Sequence, residues 1–198
     1  MRLFFCLTTL LCALPVLAAT VQVQVQDSTG KAVPDAVVFL ESKEALAVVK
    51  PLQIAEVAQV GRQFDPQVRV VTVGTAVQFP NRDSVRHQVY SFSDIKRFEL
   101  KLYAAGTASP VVFDKPGIAV LGCNIHDSMV AWIVVVPTPY FGRSGPDGKL
   151  ALDDLPPGNY RLRTWHTRLP VGTPALDQAL NVPATGATVA VRLAGLAP

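Results

Sequence analysis

Ile118-Ala119-Val120-Leu121-Gly122-Cys123-Asn124-Ile125-His126-Asp127-Ser128-Met129-Val130-Ala131-Trp132-Ile133-Val134-Val135-Val136 is two apolar, largely β-branched runs joined by a polar stretch. The runs read as strands and the stretch between them as the loop that connects them. Within that loop Cys123, His126 and Met129 stand three residues apart. A thiolate, an imidazole and a thioether on one short loop form a set of soft metal ligands. The chain has few residues with which to imitate this by accident. Met129 is its only methionine besides Met1, and its histidines are His87, His126 and His166. Each residue alone has a plainer reading, since a buried cysteine is a small hydrophobe and a methionine fills core. Taken jointly and in register, they favour a metal.

Working outward, the first residues read as an export signal. Arg2 supplies a positive start, Leu3 to Leu14 an apolar run broken by Thr8 and Thr9, and Pro15-Val16-Leu17-Ala18-Ala19 the small residues for cleavage near Ala18 or Ala19. The run is short for a bilayer span, and no later stretch reaches the ~20 apolar residues that one needs. The alternative is an N-terminal anchor helix. Cys6 and Cys12 fall in residues 1–19, so cleavage would leave Cys123 as the lone thiol of a periplasmic or secreted protein. Exported proteins usually hold cysteines in pairs, and a bound metal would protect this one. Cleavage would also remove Arg2 and no acid, lowering the formal charge from +3 by one. A nearly neutral chain points away from nucleic acid.

Sixteen prolines, thirteen glycines and abundant valine favour strands and turns. Val21, Val23 and Val25 alternate with glutamines, and after the turn at Asp27-Ser28-Thr29-Gly30 the run Ala36 to Leu40 suggests a hairpin partner. Ser42 to Lys50 reads as a short helix or a loop ended by Pro51. Short strands then follow at Val68–Val73, Ala76–Phe79, Gln88–Phe92, Phe98–Tyr103 and Val111–Phe113, ahead of the two runs that flank Cys123. Beyond Pro137 come Lys149–Leu152, Tyr160–Trp165 and a last strand at Ala187–Leu193. The expected class is all-β, a sandwich or barrel.

A blue-type copper(II) site takes two imidazoles and a thiolate in a trigonal plane with a weak axial thioether. The loop supplies all but one imidazole. His87 is the natural candidate, because it follows the turn Pro80 to Ser84 and precedes a strand, a rigid place for a ligand. Zinc also accepts Cys and His, but the thioether favours copper. His166, in Trp165-His166-Thr167-Arg168, is expected to be a surface or packing residue.

Phe64-Asp65-Pro66, the valine strand ending at Gly74, the turn Asn81-Arg82-Asp83, His87, and Pro116-Gly117 through Cys123, His126 and Met129 resemble the cupredoxins. The ligand spacing is most similar to that of amicyanin, and the resemblance covers roughly residues 54–137. It implies a Greek-key sandwich carrying single electrons on one type 1 copper. His87, Cys123 and His126 would be equatorial ligands and Met129 axial, with Asn81 and Gln88 as supporting residues behind them. Three positions depart from the common pattern: Gln88 stands where many members have Asn, Leu121 where many have an aromatic, and Val130-Ala131 where glycine often follows the methionine. These bear on the redox potential more than on the metal.

Val21 to Leu40 and Gly145 to Trp165, with Asp147-Gly148-Lys149 and Pro156-Pro157-Gly158-Asn159-Tyr160, resemble the two halves of a carboxypeptidase regulatory-like domain, a small transthyretin-like β-sandwich. The resulting expectation is a signal at residues 1–19, a cupredoxin-like domain at 51–137, and around it a discontinuous module at 20–50 and 138–198. The simpler alternative is that Val21 to Leu40 opens the cupredoxin-like domain itself.

The expectation for function is an exported single-electron carrier, not an enzyme, since three histidines cannot supply a trinuclear copper cluster. A redox partner protein is implied but not identified. Arg82, Arg86, Lys96, Arg97 and Lys101 near His87 would steer an acidic partner, or else form an ordinary solvated face. The alternatives are copper delivery without redox turnover, and an envelope binding module in which Cys123 is structural.

Overall fold

A computed structural model describes residues 18–197; the predicted signal lies almost wholly outside them. The chain opens with strands β1 (Ala19–Asp27) and β2 (Val37–Glu41), then helix α1 (Lys43–Val48). The Ser42 side chain accepts the Ala45 amide and caps that helix. Short strands follow as β3 (Ala55–Glu56), β4 (Ala58–Val60), β5 (Gln63–Asp65), β6 (Val68–Thr72), β7 (Thr75–Gln78) and β8 (Pro80–Asn81). Next come β9 (His87–Ser93), β10 (Lys96–Tyr103), β11 (Gly106–Thr107), β12 (Val111–Phe113), β13 (Gly117–Gly122) and β14 (Val130–Val136). The chain finishes with β15 (Phe141–Arg143), β16 (Lys149–Leu155), β17 (Gly158–Trp165), β18 (Leu176–Val182) and β19 (Ala187–Leu193). No helix of the described residues is long and apolar enough to cross a membrane.

The all-β class matches the sequence expectation, as open sheets rather than a closed barrel. Strands of residues 55–136 form a five-stranded sheet, β10-β9-β13-β14-β6, faced by the smaller sheets β11-β8-β4-β5 and β12-β7-β3. In the larger sheet β14 runs antiparallel to β13 and parallel to β6. Strands of residues 19–41 and 141–193 form two further sheets, β16-β1-β19 and β15-β2-β17-β18. The expected hairpin of β1 and β2 is therefore wrong. β1 pairs with β16 and β19, whereas β2 pairs with β15 and β17. Two adjacent apolar runs joined by a turn look like a hairpin, but nothing local to them reveals a partner more than a hundred residues away. Strand β18 was also missed, because Leu176-Asp177-Gln178-Ala179-Leu180-Asn181-Val182 is mostly exposed and only weakly patterned.

Burial explains the sequence texture. The valines of β1 are buried and its glutamines are not, a sheet with one face on a core. β2 and β14 instead lack alternation because both of their faces are covered. On β14, Ala131, Ile133 and Val135 enter the core beneath Cys123, while Val134 and Val136 enter a seam with Val37, Phe39 and Trp165. On β2, Val38 and Leu40 enter the second unit's own core, and Val37 and Phe39 enter the seam. At the free edge β10 carries Lys96, Arg97 and Lys101, charges that oppose edge-to-edge pairing. Gly74, with φ near +87°, turns the chain between β6 and β7 in a conformation that L side chains rarely adopt.

Ile133 is fully buried in the core beneath the cysteine. Ile133→Ala should lower the unfolding free energy by about 2–5 kcal/mol, read from the midpoint of a urea titration.

Candidate metal centre

β13 and β14 form a hairpin whose connection carries the ligand loop. Two successive turns fill it, at Asn124-Ile125 and at Asp127-Ser128, and leave Cys123, His126 and Met129 at the corners. This explains the spacing of three, since each tight turn consumes the two residues between corners. The Met129 amide donates to the His126 carbonyl at 3.0 Å and closes the second turn. Cys123 and Met129 point inward and are buried in the same core, while His126 is half-buried and Ile125 exposed.

His87 begins β9, fully buried. Its Nδ1 lies 4.0 Å from Cys123 Sγ, and His126 Nδ1 lies 4.0 Å from the same sulfur. The possible ligand atoms of the three residues all lie within 4.8 Å of one another. Metal–sulfur and metal–nitrogen bonds of about 2.3 and 2.1 Å would set each S···N separation near 3.6–3.8 Å. The two S···N pairs therefore need to contract by only a few tenths of an ångström to hold a first-row divalent ion, and the two imidazoles must approach each other by about 1 Å. The donor set, one thiolate and two imidazoles, suits such an ion. The structure thus brings together three of the four predicted ligands. Met129 lies in the core that they border.

The sequence reading missed Asp83. Its Oδ2 stands 2.8 Å from His87 Nε2, so Nε2 donates to the carboxylate and Nδ1 faces Cys123. The carboxylate also accepts the amides of Gly61 and Arg62 at 2.6 and 2.8 Å, in the β4–β5 turn. Burial pulls the Asp83 carboxyl upward. The Arg62 amide, the His87 ring and the Gly61 amide together outweigh it and hold the group below its ordinary value. An acid four residues before a candidate histidine, directly after the Asn81 turn, was the signal available.

Asn81 supports the centre indirectly. Its Oδ1 accepts the Asp83 amide, and its Nδ2 donates to the carbonyls of Val85 and Tyr103, so it shapes the turn that delivers Asp83. The Gln88 side chain faces away from the cluster. It donates across the strand pair to Glu99 at 2.6 Å, because successive strand residues face opposite sides and His87 already takes the inner one. The expected basic patch is largely neutralised: Arg82 pairs with Glu56, Lys96 with Asp114 and Arg97 with Asp94. His166 stands outside the cluster. It is buried and accepts the Arg168 amide at Nδ1.

No protein-family model matches this chain, and no curated protein matches it in sequence. Solved structures do. A copper-containing nitrite reductase from Thermus scotoductus SA-01 is 30% identical over 44% of this chain, with a TM-score of 0.40, and the match spans only 23% of the reductase. A purple cupredoxin from Nitrosopumilus maritimus is 24% identical over 41% of this chain and 99% of its own, with a TM-score of 0.38. A reduced, Cu(I) form of an amicyanin variant is 21% identical over 50% of this chain and 98% of its own, with a TM-score of 0.39.

Two outcomes follow from the hydrogen bonds. Asp83→Ala should weaken metal binding about 10- to 100-fold, measured by competition against a chelator, with Asp83→Asn between it and the parent. Burial, then the Arg168 charge, lowers the His166 pKa. The unfolded chain therefore takes up that proton more readily. The contribution of His166 to stability is full above its ordinary value of about 6.5 and is lost as pH falls below it. Urea midpoints measured across that interval should vary less with pH in His166→Gln.

Proposed function

We propose that this chain is an exported copper-binding protein with one type 1 centre, acting as a single-electron carrier. The arrangement that carries the reading is the pair of imidazole Nδ1 atoms, each 4.0 Å from one buried thiol. His87, Cys123 and His126 would hold the copper, and the buried thioether of Met129 on the same loop would add a weak fourth ligand. When bound, copper would supply a reversible one-electron couple. His87 is locked in one tautomer and orientation by Asp83, and Cys123 is kept from solvent by the core around it. The partly exposed His126 gives the centre an edge toward a redox partner protein. Ligands held this firmly in advance need little rearrangement between oxidation states. The lone thiol and the leader-like residues 1–19 support export.

Residues 19–41 and 141–193 make the two sheets beside this unit. We assign them to a carboxypeptidase regulatory-like module that mounts the copper domain and adds no catalysis.

Addition of Cu(II) to the protein should give an intense thiolate-to-copper absorption in the visible. The band should disappear in Cys123→Ser and change in intensity and position in Met129→Ala, with a reversible one-electron wave in voltammetry. A colourless protein with copper bound elsewhere would reject the reading. A coloured centre that gives up copper to a weak chelator and shows no reversible wave would assign delivery instead.

A further inference from the structure

The outward face of the five-stranded sheet is only partly covered. Over β14 and β6 it meets β2 and β17 in the seam of Val37, Phe39, Trp165, Val134 and Val136. Over β9 and β13 the two units diverge and leave a cleft of about 1170 Å³. Tyr90, Val120 and Trp132 line one wall, Phe39 and Trp165 the other, and the segment Leu169 to Ala175 borders it. The indoles of Trp132 and Trp165 are 6.3 Å apart and tilted, and they are the only two tryptophans in the chain. At the mouth Phe92 and Val171 are 75% and 78% exposed, so apolar surface continues out to solvent.

One wall also carries a polar group with unused donors. Arg163 Nε is buried without a hydrogen-bond partner. Its Nη1 stands 3.7 Å from Glu41 and 3.6 Å from Asp177, beyond hydrogen-bond length. An arginine has five donors in a planar fork, and leaving the buried Nε donor unmade is costly. The charge is already balanced, because Arg161 and Arg163 face Glu41 and Asp177. A further anion is therefore not called for; a neutral acceptor is.

We infer that this cleft is a binding site for uncharged aromatic small molecules bearing a carbonyl oxygen. The ring packs against Trp132 beside Tyr90 and Val120, and the oxygen accepts from the Arg163 guanidinium. Aromatic walls favour a planar ring by offset or edge contacts. An apolar concavity with a few polar groups is the usual form of a ligand site. The inference rests on the cleft alone and holds whether or not copper binds. The site borders the centre through Gly122, since a Cβ there would come within 2.6 Å of the Tyr90 ring; only glycine lets that ring lie flat against the strand leading to Cys123.

The test is equilibrium dialysis of the full chain against 2-acetylnaphthalene, with tryptophan emission followed in parallel. Binding should saturate at one molecule per chain and quench the emission. The matched hydrocarbon 2-ethylnaphthalene should bind about tenfold more weakly, and Arg163→Met should erase that difference. Val120→Arg should abolish binding; Val120 belongs to none of the three packed cores. Absence of saturable binding, equal affinity for ketone and hydrocarbon in the parent, or binding unaffected by Val120→Arg would overturn the inference. So would tighter binding of 2-naphthoate, which would make this an anion site. A dimer seen by light scattering and lost in Val120→Arg would assign the face to a second copy, and would overturn it too.

Discussion

Strand β14 is packed on both faces from Ile133 to Val136, and the rest of the molecule is arranged around that fact. One row of its side chains closes the core in which Cys123 and Met129 are packed, and the other row meets β2 across the seam. β2 is equally two-sided, with Val38 and Leu40 in its own unit's core. The two units thus share a continuous apolar layer three cores deep. A sheet that packed on one face only would leave Trp132, Val134 and Val136 in water, at a cost of roughly 1.5–3 kcal/mol for each large side chain. The second unit covers that surface, and so it is part of what stabilises the strand that carries the ligand loop.

That arrangement bears directly on the site. The β13–β14 hairpin supplies a rigid base, and two tight turns set Cys123, His126 and Met129 at its corners. His87 comes from β9, which touches β13 at the Gly122–Tyr90 pair. Asp83 then ties the far side of the His87 ring to the amides of Gly61 and Arg62. One carboxylate therefore joins His87, its delivering turn and a separate hairpin. A ring held on one nitrogen by such a bond presents the other in a fixed direction.

The same outward face serves two ends. Where the units touch it forms the seam, and where they diverge it lines the cleft beside Trp132 and Trp165. Both depend on the angle between two sheets, a quantity that no local pattern encodes.

Much was legible in the residues alone. Period-two alternation located β1, β10 and β17, and the unbroken apolar runs located β2 and β14, because strand geometry imposes these patterns locally. The recurrence of Cys123, His126 and Met129 marked the loop, because tight turns have fixed lengths. The place of His87 between a turn and a strand marked it as the candidate for the further imidazole. Pairing was not legible: β1 joins β16 and β19 instead of β2, and the Gln88 side chain meets Glu99 across the strand pair. Nor was Asp83's bond to His87, or the ion pairs that neutralise Arg82, Lys96 and Arg97. Sequence by itself determined which residues could form strands, turns and ligands, since those depend on neighbours a few positions away. Only the tertiary structure decided which strands pair, which side chains support the ligands and where the cleft opens, since those depend on contacts between residues tens to more than a hundred positions apart.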